Sequence, residues 1–223
     1  MTQKINTISL PIFLGMGKVN CYLVHTESGD FLIDTGGANA RKALLRGLVK
    51  AGYTPGSLKF VILTHGDFDH SGNAAYLRKA FGVKVAIHQE DAGMVEKGDM
   101  MASRKQANII IKAIAPLFTG FGRAERFTPD FFLKDGYSLA RCRLDARVIH
   151  LPGHSRGSIG ILTTSGDLFC GDLFENTKAP RLNALMDDPK AAQDSLAKLE
   201  ELEIRKVYPG HGDPFEMSEL KRD

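Results

Sequence analysis

The stretch Thr64-His65-Gly66-Asp67-Phe68-Asp69-His70 constrains this chain more than any other, because four metal-capable side chains crowd into the six residues from His65 to His70. Imidazole and carboxylate are ligand types of zinc, iron and manganese, and coordination satisfies lone pairs that hydrogen bonding would leave unmet. The run before it, Lys59 to Leu63, is β-rich, and Ser71 to Phe81 after it has helical spacing. A strand delivers the cluster and a helix follows it, with Ser71 expected to cap that helix. The fold must therefore present this loop at an open edge of a sheet.

Further ligand types follow strand patterns of their own. Arg147 to Leu151 leads into Pro152-Gly153-His154-Ser155, Leu168 to Cys170 into Gly171-Asp172, and Lys206 to Tyr208 into Pro209-Gly210-His211-Gly212. Loops from one edge of a sheet can converge, so His65, Asp67, Asp69, His70, His154, Asp172 and His211 are expected to meet. Side chains two apart in extended backbone point the same way, which lets His65 and Asp67 share one metal while Asp69 and His70 serve another.

The rest of the pattern supplies the scaffold. Ile5 to Ile12, Val19 to His25 and Phe31 to Asp34 read as strands, with Ser28-Gly29-Asp30 as a hairpin signal. Ala38 to Lys50 carries Ala43, Leu44, Leu48 and Val49 at helical spacing. Val83 to Ile87 and Ile159 to Thr164 add strands, and Pro189 to Leu202 adds a helix with Ala192, Leu196, Leu199 and Leu202 along one side. Strand-rich segments followed by helices recur in two halves, an α/β signature that predicts two sheets with helices outside.

A chain of 223 residues, 43% hydrophobic and 25% charged, fits one globular domain spanning 1–223. Its formal charge is +3 and its basic residues are scattered, as in Arg41-Lys42 and Arg141, Arg143 and Arg147, which argues for a solvated surface and against nucleic acid. No apolar run is long enough to span a membrane and no signal-peptide pattern opens the chain, so the expected compartment is the cytoplasm. Cys21, Cys142 and Cys170 are too few and too scattered for a disulfide framework or a CxxC pair, so reduced thiols are expected.

Between Gln89 and Gly136 the pattern changes. Ala102 to Phe118 suggests a helix with Ile109, Ile110, Ile111, Ile114 and Leu117, and Phe121, Phe127, Phe131 and Phe132 follow. This span, about 89–136, is read as a helical insertion that packs on the core, caps a site or forms a dimer interface.

With these residues in place, the chain resembles the metallo-β-lactamase superfamily, whose signature is His-x-His-x-Asp-His followed by separated His, Asp and His ligands. Thr64 to His70 matches except at Asp67, and His154, Asp172 and His211 fall in the later positions. Asp34-Thr35-Gly36 is similar to the family's early strand-turn motif, with Asp34 supporting the ligands or the fold. The resemblance implies a four-layer αββα sandwich with a helical insertion. It also implies two divalent metal ions, with His65, Asp67 and His154 on the first, Asp69, His70 and His211 on the second, and Asp172 between them. A metal-bridging hydroxide would act on the substrate, with Asp69 and Asp172 as the catalytic carboxylates and Asp69 orienting the hydroxide or shuttling its proton.

Asp67 departs from that pattern, and the departure has an electrostatic consequence. Two ligand carboxylates and a hydroxide facing two divalent cations leave a formal sum of about plus one, and a third carboxylate brings it to about zero. A harder oxygen ligand shifts preference from zinc toward iron or manganese, although zinc accepts Asp oxygen. The flavodiiron branch has a carboxylate at this position too, but its flavodoxin domain has no counterpart here, which favours iron as a metal more than oxygen or nitric-oxide reduction.

The expected activity is metal-dependent hydrolysis of an ester-like bond in a small molecule, a thioester first and a lactone next, by a monomer or a homodimer. The missing C-terminal domain of glyoxalase II points away from glutathione thioesters. A non-haem iron oxidoreductase, such as a sulfur dioxygenase or an oxygen or nitric-oxide reductase, and a non-catalytic metal-binding module are the alternatives. Lys178 and Arg181 are candidates to hold an anionic substrate group and Tyr208 to offer a hydroxyl. His25, His88 and His150 are read as structural, with His150 near enough in sequence to His154 to support it.

Overall fold

The computed structural model describes residues 3–12, 15, 17–102 and 125–221. The first sheet contains β1 (Lys4–Pro11), β2 (Lys18–Thr26), β3 (Gly29–Ile33), β4 (Leu58–Ile62), β5 (Lys84–His88) and β6 (Phe131–Leu133), ordered as in the sequence. β1, β2 and β3 pair antiparallel, and β3 to β6 run parallel. The second sheet contains β7 (Ala146–His150), β8 (Ile159–Thr163), β9 (Asp167–Asn176), β11 (Lys206–Gly212) and β12 (Phe215–Glu216) in the order β12-β11-β9-β8-β7, and β10 (Arg181–Leu182) pairs with β9.

Strand alternation divides the apolar residues into layers. Cys21 and Leu23 of β2, Leu32 of β3, Val61 of β4 and Val85 and Ile87 of β5 pack under the helices α1 (Arg41–Lys50), α3 (Ala74–Phe81) and α4 (Gln89–Lys97). Their neighbours Tyr22, Val24, Phe31, Ile33, Ile62 and Ala86 point the other way and meet Val148, Ile161 and Phe169 of the second sheet. On that sheet's far side Ile149, Leu162, Leu168 and Cys170 pack on Ala192 and Leu199 of α5 (Pro189–Glu200). Each central strand is thus buried on both faces, and the result is the expected four-layer αββα sandwich.

Local chemistry sets the ends. Asp188 accepts a hydrogen bond from Ala191 N and Pro189 occupies the first turn, which starts α5. In α1, Leu44 and Leu48 face the core one turn apart, while Val49, read from sequence as part of the apolar face, is 68% exposed.

Three other readings change. Ser71 does not cap the helix after the cluster. It ends a separate turn, α2 (Phe68–Ser71), and its hydroxyl donates back to Gly66 O and Asp67 O. β9 continues through Asp172 and β11 through His211, because Gly171 and Pro209 lie at bulges in a parallel pair and do not end the strands. Within the span 89–136, α4 buries Ala92, Met94 and Val95, and β6 joins the first sheet. The helix expected over Ala102 to Phe118 lies, except for Ala102, outside the described residues. Among the described residues no helix is long and apolar enough to cross a membrane.

Candidate metal centre

The seven expected donors meet at one edge of the sandwich. His65 leaves β4 on a short loop, Asp67 precedes α2, and Asp69 and His70 lie within its single turn. His154 sits between β7 and β8, while Asp172 and His211 are brought side by side by the parallel pairing of β9 and β11. Two groups of donors result, each within 4.8 Å of one another: His65, His154 and Asp172, and Asp69, His70 and His211. Asp67 joins the first, its Oδ2 lying 3.0 Å from His154 Nε2 and 3.7 Å from His65 Nε2. Asp172 touches both groups, with Oδ1 3.2 Å from His70 Nε2 and Oδ2 3.2 Å from His211 Nε2 and 3.7 Å from His154 Nε2.

The four histidines share one orientation. Each Nδ1 is taken up outside the cluster: by Thr64 Oγ1 for His65 (3.0 Å), Asp34 Oδ2 for His70 (2.9 Å), Leu185 O for His154 (2.6 Å) and Lys18 O for His211 (2.8 Å). Every Nε2 therefore faces the carboxylates. Partners on the remote nitrogen fix ring orientation and raise donor strength, as second partners do for metal-bound imidazoles. Asp34 does more than this, since its carboxylate also accepts from Thr64 N at 2.8 Å and Thr64 Oγ1 at 2.7 Å. Its backbone takes φ 59°, in the left-handed region, which aims the side chain across to the cluster.

The electrostatics describe a site that demands positive charge. Burial acts to lower His154, but Asp67 and Asp172 overcome it and hold the group up to about 9. Burial opposes His211 in the same way, and Asp172 raises it to about 9. Asp69 is pushed up by burial, whereas Asp172, despite burial, is held well below the carboxylate range by His211 and His70. His65, fully buried beside His70 and His154, is depressed. His65 Nε2, His70 Nε2 and Asp172 Oδ1 are buried without a hydrogen bond. Orphaned nitrogen and oxygen atoms that converge among carboxylates fit divalent cations such as zinc, iron or manganese. Gly210 keeps the space clear, because a Cβ there would collide with the Asp172 carboxylate and lie 2.7 Å from His70 Cε1.

The substrate candidates fare differently. Arg181 is exposed and paired on its own sheet, its Nε donating to Glu175 Oε1 at 2.7 Å. Tyr208 packs its ring on Phe169 and Tyr22 between the sheets, and burial with the nearby Asp167 carboxylate pushes its hydroxyl up to about 12. Lys178 is exposed in the turn after β9. His150 stacks on His88 with ring centroids 4.3 Å apart and bonds to Arg156 O, and His25 bridges Asp30 and Ala51 O. All three cysteines are free. Asp91, which sequence reasoning passed over, accepts hydrogen bonds from Gly66 N, Ser155 Oγ and Gly157 N. Its only sequence signal is an acidic residue among Ala92, Met94 and Val95 at the start of a helix.

Two facing sheets with helices outside and a histidine–carboxylate centre at their shared edge define a metal-binding αββα protein. The chain belongs to the metallo-beta-lactamase superfamily, whose sequence model matches residues 14–211. This superfamily includes metal-dependent hydrolases. The chain is 26% identical to the acyl-coenzyme A thioesterase MBLAC2 of Bos taurus over 92% of its own length and 77% of that protein. It is 29% identical to the hydroxyacylglutathione hydrolase GloC of Haemophilus influenzae, over 70% of this chain and 66% of that one. The solved structure of TTHA1623 in a di-iron-bound form superposes with a TM-score of 0.69 at 30% identity, covering 93% of this chain and 94% of the other.

Proposed function

We propose that this protein is a binuclear metal-dependent hydrolase that cleaves an ester-like bond, with thioesters the first candidate substrates and lactones the second. The observation that carries this reading is the common orientation of His65, His70, His154 and His211, whose Nδ1 atoms are all engaged outside while their Nε2 atoms converge on Asp67, Asp69 and Asp172. The thioesterase and the hydroxyacylglutathione hydrolase among the relatives support the choice of bond.

In this reading His65, Asp67 and His154 would hold one metal ion and Asp69, His70 and His211 the other, with Asp172 placed to serve both. Two such ions supply Lewis-acid polarisation of a carbonyl and activation of water at neutral pH. Asp69 Oδ2, 3.5 Å from His211 Nε2 and 3.9 Å from His70 Nε2, orients the attacking water and accepts its proton. Asp172 spans the two groups and fixes their separation. Thr64, Asp34, Leu185 and Lys18 keep the imidazole rings from turning, so that little reorganisation accompanies the reaction. The third carboxylate, Asp67, and the di-iron relative both support iron beside zinc and manganese as the native metal.

Elemental analysis of protein purified after metal-replete expression tests the centre, with two equivalents expected. A panel of thioesters, lactones, phosphodiesters and β-lactams tests the bond. Absence of turnover across the panel would refute hydrolysis, and iron with oxygen consumption would replace it by an oxidoreductase.

A further inference from the structure

α4 carries a buried carboxylate that touches both ligand-bearing loops of one half of the centre. Asp91 is fully buried. Its Oδ2 accepts from Gly66 N at 3.0 Å and from Ser155 Oγ at 2.6 Å, and its Oδ1 accepts from Gly157 N at 2.8 Å. Gly66 stands between His65 and Asp67, and Ser155 follows His154, so one side chain ties together the backbone beside three donors. The His154 loop is also closed on itself, with Ser155 N donating to Ser158 Oγ at 3.1 Å and the two hydroxyls 2.7 Å apart. The fit is tight: a Cβ on Gly157 would lie 2.7 Å from the Asp91 carboxyl carbon, and one on Gly66 would lie 2.8 Å from Met94 Cβ.

We infer that Asp91 is the positioning residue for the His65, Asp67 and His154 half of the centre, setting the separation of two loops from opposite sheets and thereby the fit of one metal ion. The inference rests on the metal-centre reading above. An ionised carboxylate only accepts, which suits three converging donors. An amide of the same shape turns one end into a donor facing Gly66 N, Ser155 Oγ or Gly157 N, and an unmatched buried pair pushes the loops apart. Groups that orient metal ligands without touching the ion typically change affinity by about 10–100-fold.

The test is zinc competition against a chromogenic chelator on the full chain, read as two dissociation constants, with the melting temperature of the metal-free protein measured alongside. Wild-type protein binding less than about half an equivalent would remove the metal-centre reading itself, and this inference with it. Given two equivalents, Asp91→Asn is expected to weaken one constant by about 10–100-fold and leave the other near its wild-type value. His154→Ala identifies that constant, and Asp91→Asn added to His154→Ala should leave the surviving site unchanged. A purely structural role would instead lower the melting temperature and weaken binding at both sites together, and either that result or two unchanged constants overturns the proposal. If Asp91→Asn does not fold, Ser155→Ala, which removes one of the three bonds, must weaken the same constant by a smaller factor. Unchanged constants in Ser155→Ala would then overturn it.

Discussion

The two halves of the centre are anchored by different means. The half containing Asp69, His70 and His211 is held by regular structure: Asp69 and His70 share the turn of α2, and His211 lies inside β11. β2 grips that strand, with Asn20 Nδ2 donating to Pro209 O and Gly212 O, Tyr22 donating to Pro209 O at 2.5 Å, and Lys18 O meeting His211 Nδ1. The half containing His65, Asp67 and His154 is built from loops. His154 is oriented by the carbonyl of Leu185, a residue 75% exposed, and joined to the His65 loop through Asp91. Backbone within a sheet can shift only with its neighbours, whereas a loop held by a few side-chain bonds can shift alone. The loop-built half should therefore be the more adjustable and the easier to lose.

Asp172 is the one donor that reaches both halves, so removing it should erase the contrast. Asp172→Ala is expected to weaken both metal constants and to lower turnover by about three orders of magnitude, the scale on which deleting a group at a reacting centre acts. Retention of one constant at its wild-type value would show that the halves are independent. Asp34→Ala tests the support shared by His70 of the strand-built half and, through Thr64, His65 of the loop-built half, because it removes the acceptor from Thr64 N, Thr64 Oγ1 and His70 Nδ1, all buried. Breaking such a buried pair costs about 3–5 kcal/mol, measurable by denaturant unfolding of the metal-free protein. A loss below about 1 kcal/mol would mean that water replaces the carboxylate.

Much of the architecture was legible because strands buried on both faces read as dense β-branched and apolar runs, as in Val19 to Val24 and Val83 to Ile87. The order of candidate donors along the chain was legible too, since histidines and aspartates gather after those runs. What was not legible is non-local. Gly171 and Pro209-Gly210 look like strand ends in sequence, but the parallel partner absorbs them as bulges, which carries Asp172 and His211 into β9 and β11. Asp91 left only a faint local trace, one acidic residue among apolar ones, because its three partners lie 25, 64 and 66 positions away. The Arg181–Glu175 pair was not legible either, because it forms across two paired strands.

Asp67 lies in the loop-built half, and replacing it sharpens the contrast further. Asp67→His removes one negative charge and supplies a softer ligand, so zinc affinity should rise relative to manganese and iron at the constant that His154→Ala also moves. Metal competition measured pairwise on the two variants decides this. Equal preference before and after would refute the electrostatic account of Asp67.

The smallest effect concerns acid. His88 Nδ1 accepts from Glu90 N and so caps α4, the helix that carries Asp91, while its ring stacks on His150. Burial first, and then the charge of His150, lower its pKa, against weaker upward pulls from Glu90 and Asp135. A histidine depressed in the folded state binds fewer protons there than when unfolded, so the stability it contributes is present at neutral pH and is lost as pH falls below about 6.5. Protonation also turns the capping nitrogen into a donor, which forfeits the bond from Glu90 N. The difference in melting temperature between wild type and His88→Gln should therefore change by about 2 °C or less between neutral pH and pH 5, with the wild type losing more in acid. If acid instead weakened the Asp69, His70 and His211 constant while sparing the other, the loop-built half would not be the softer one.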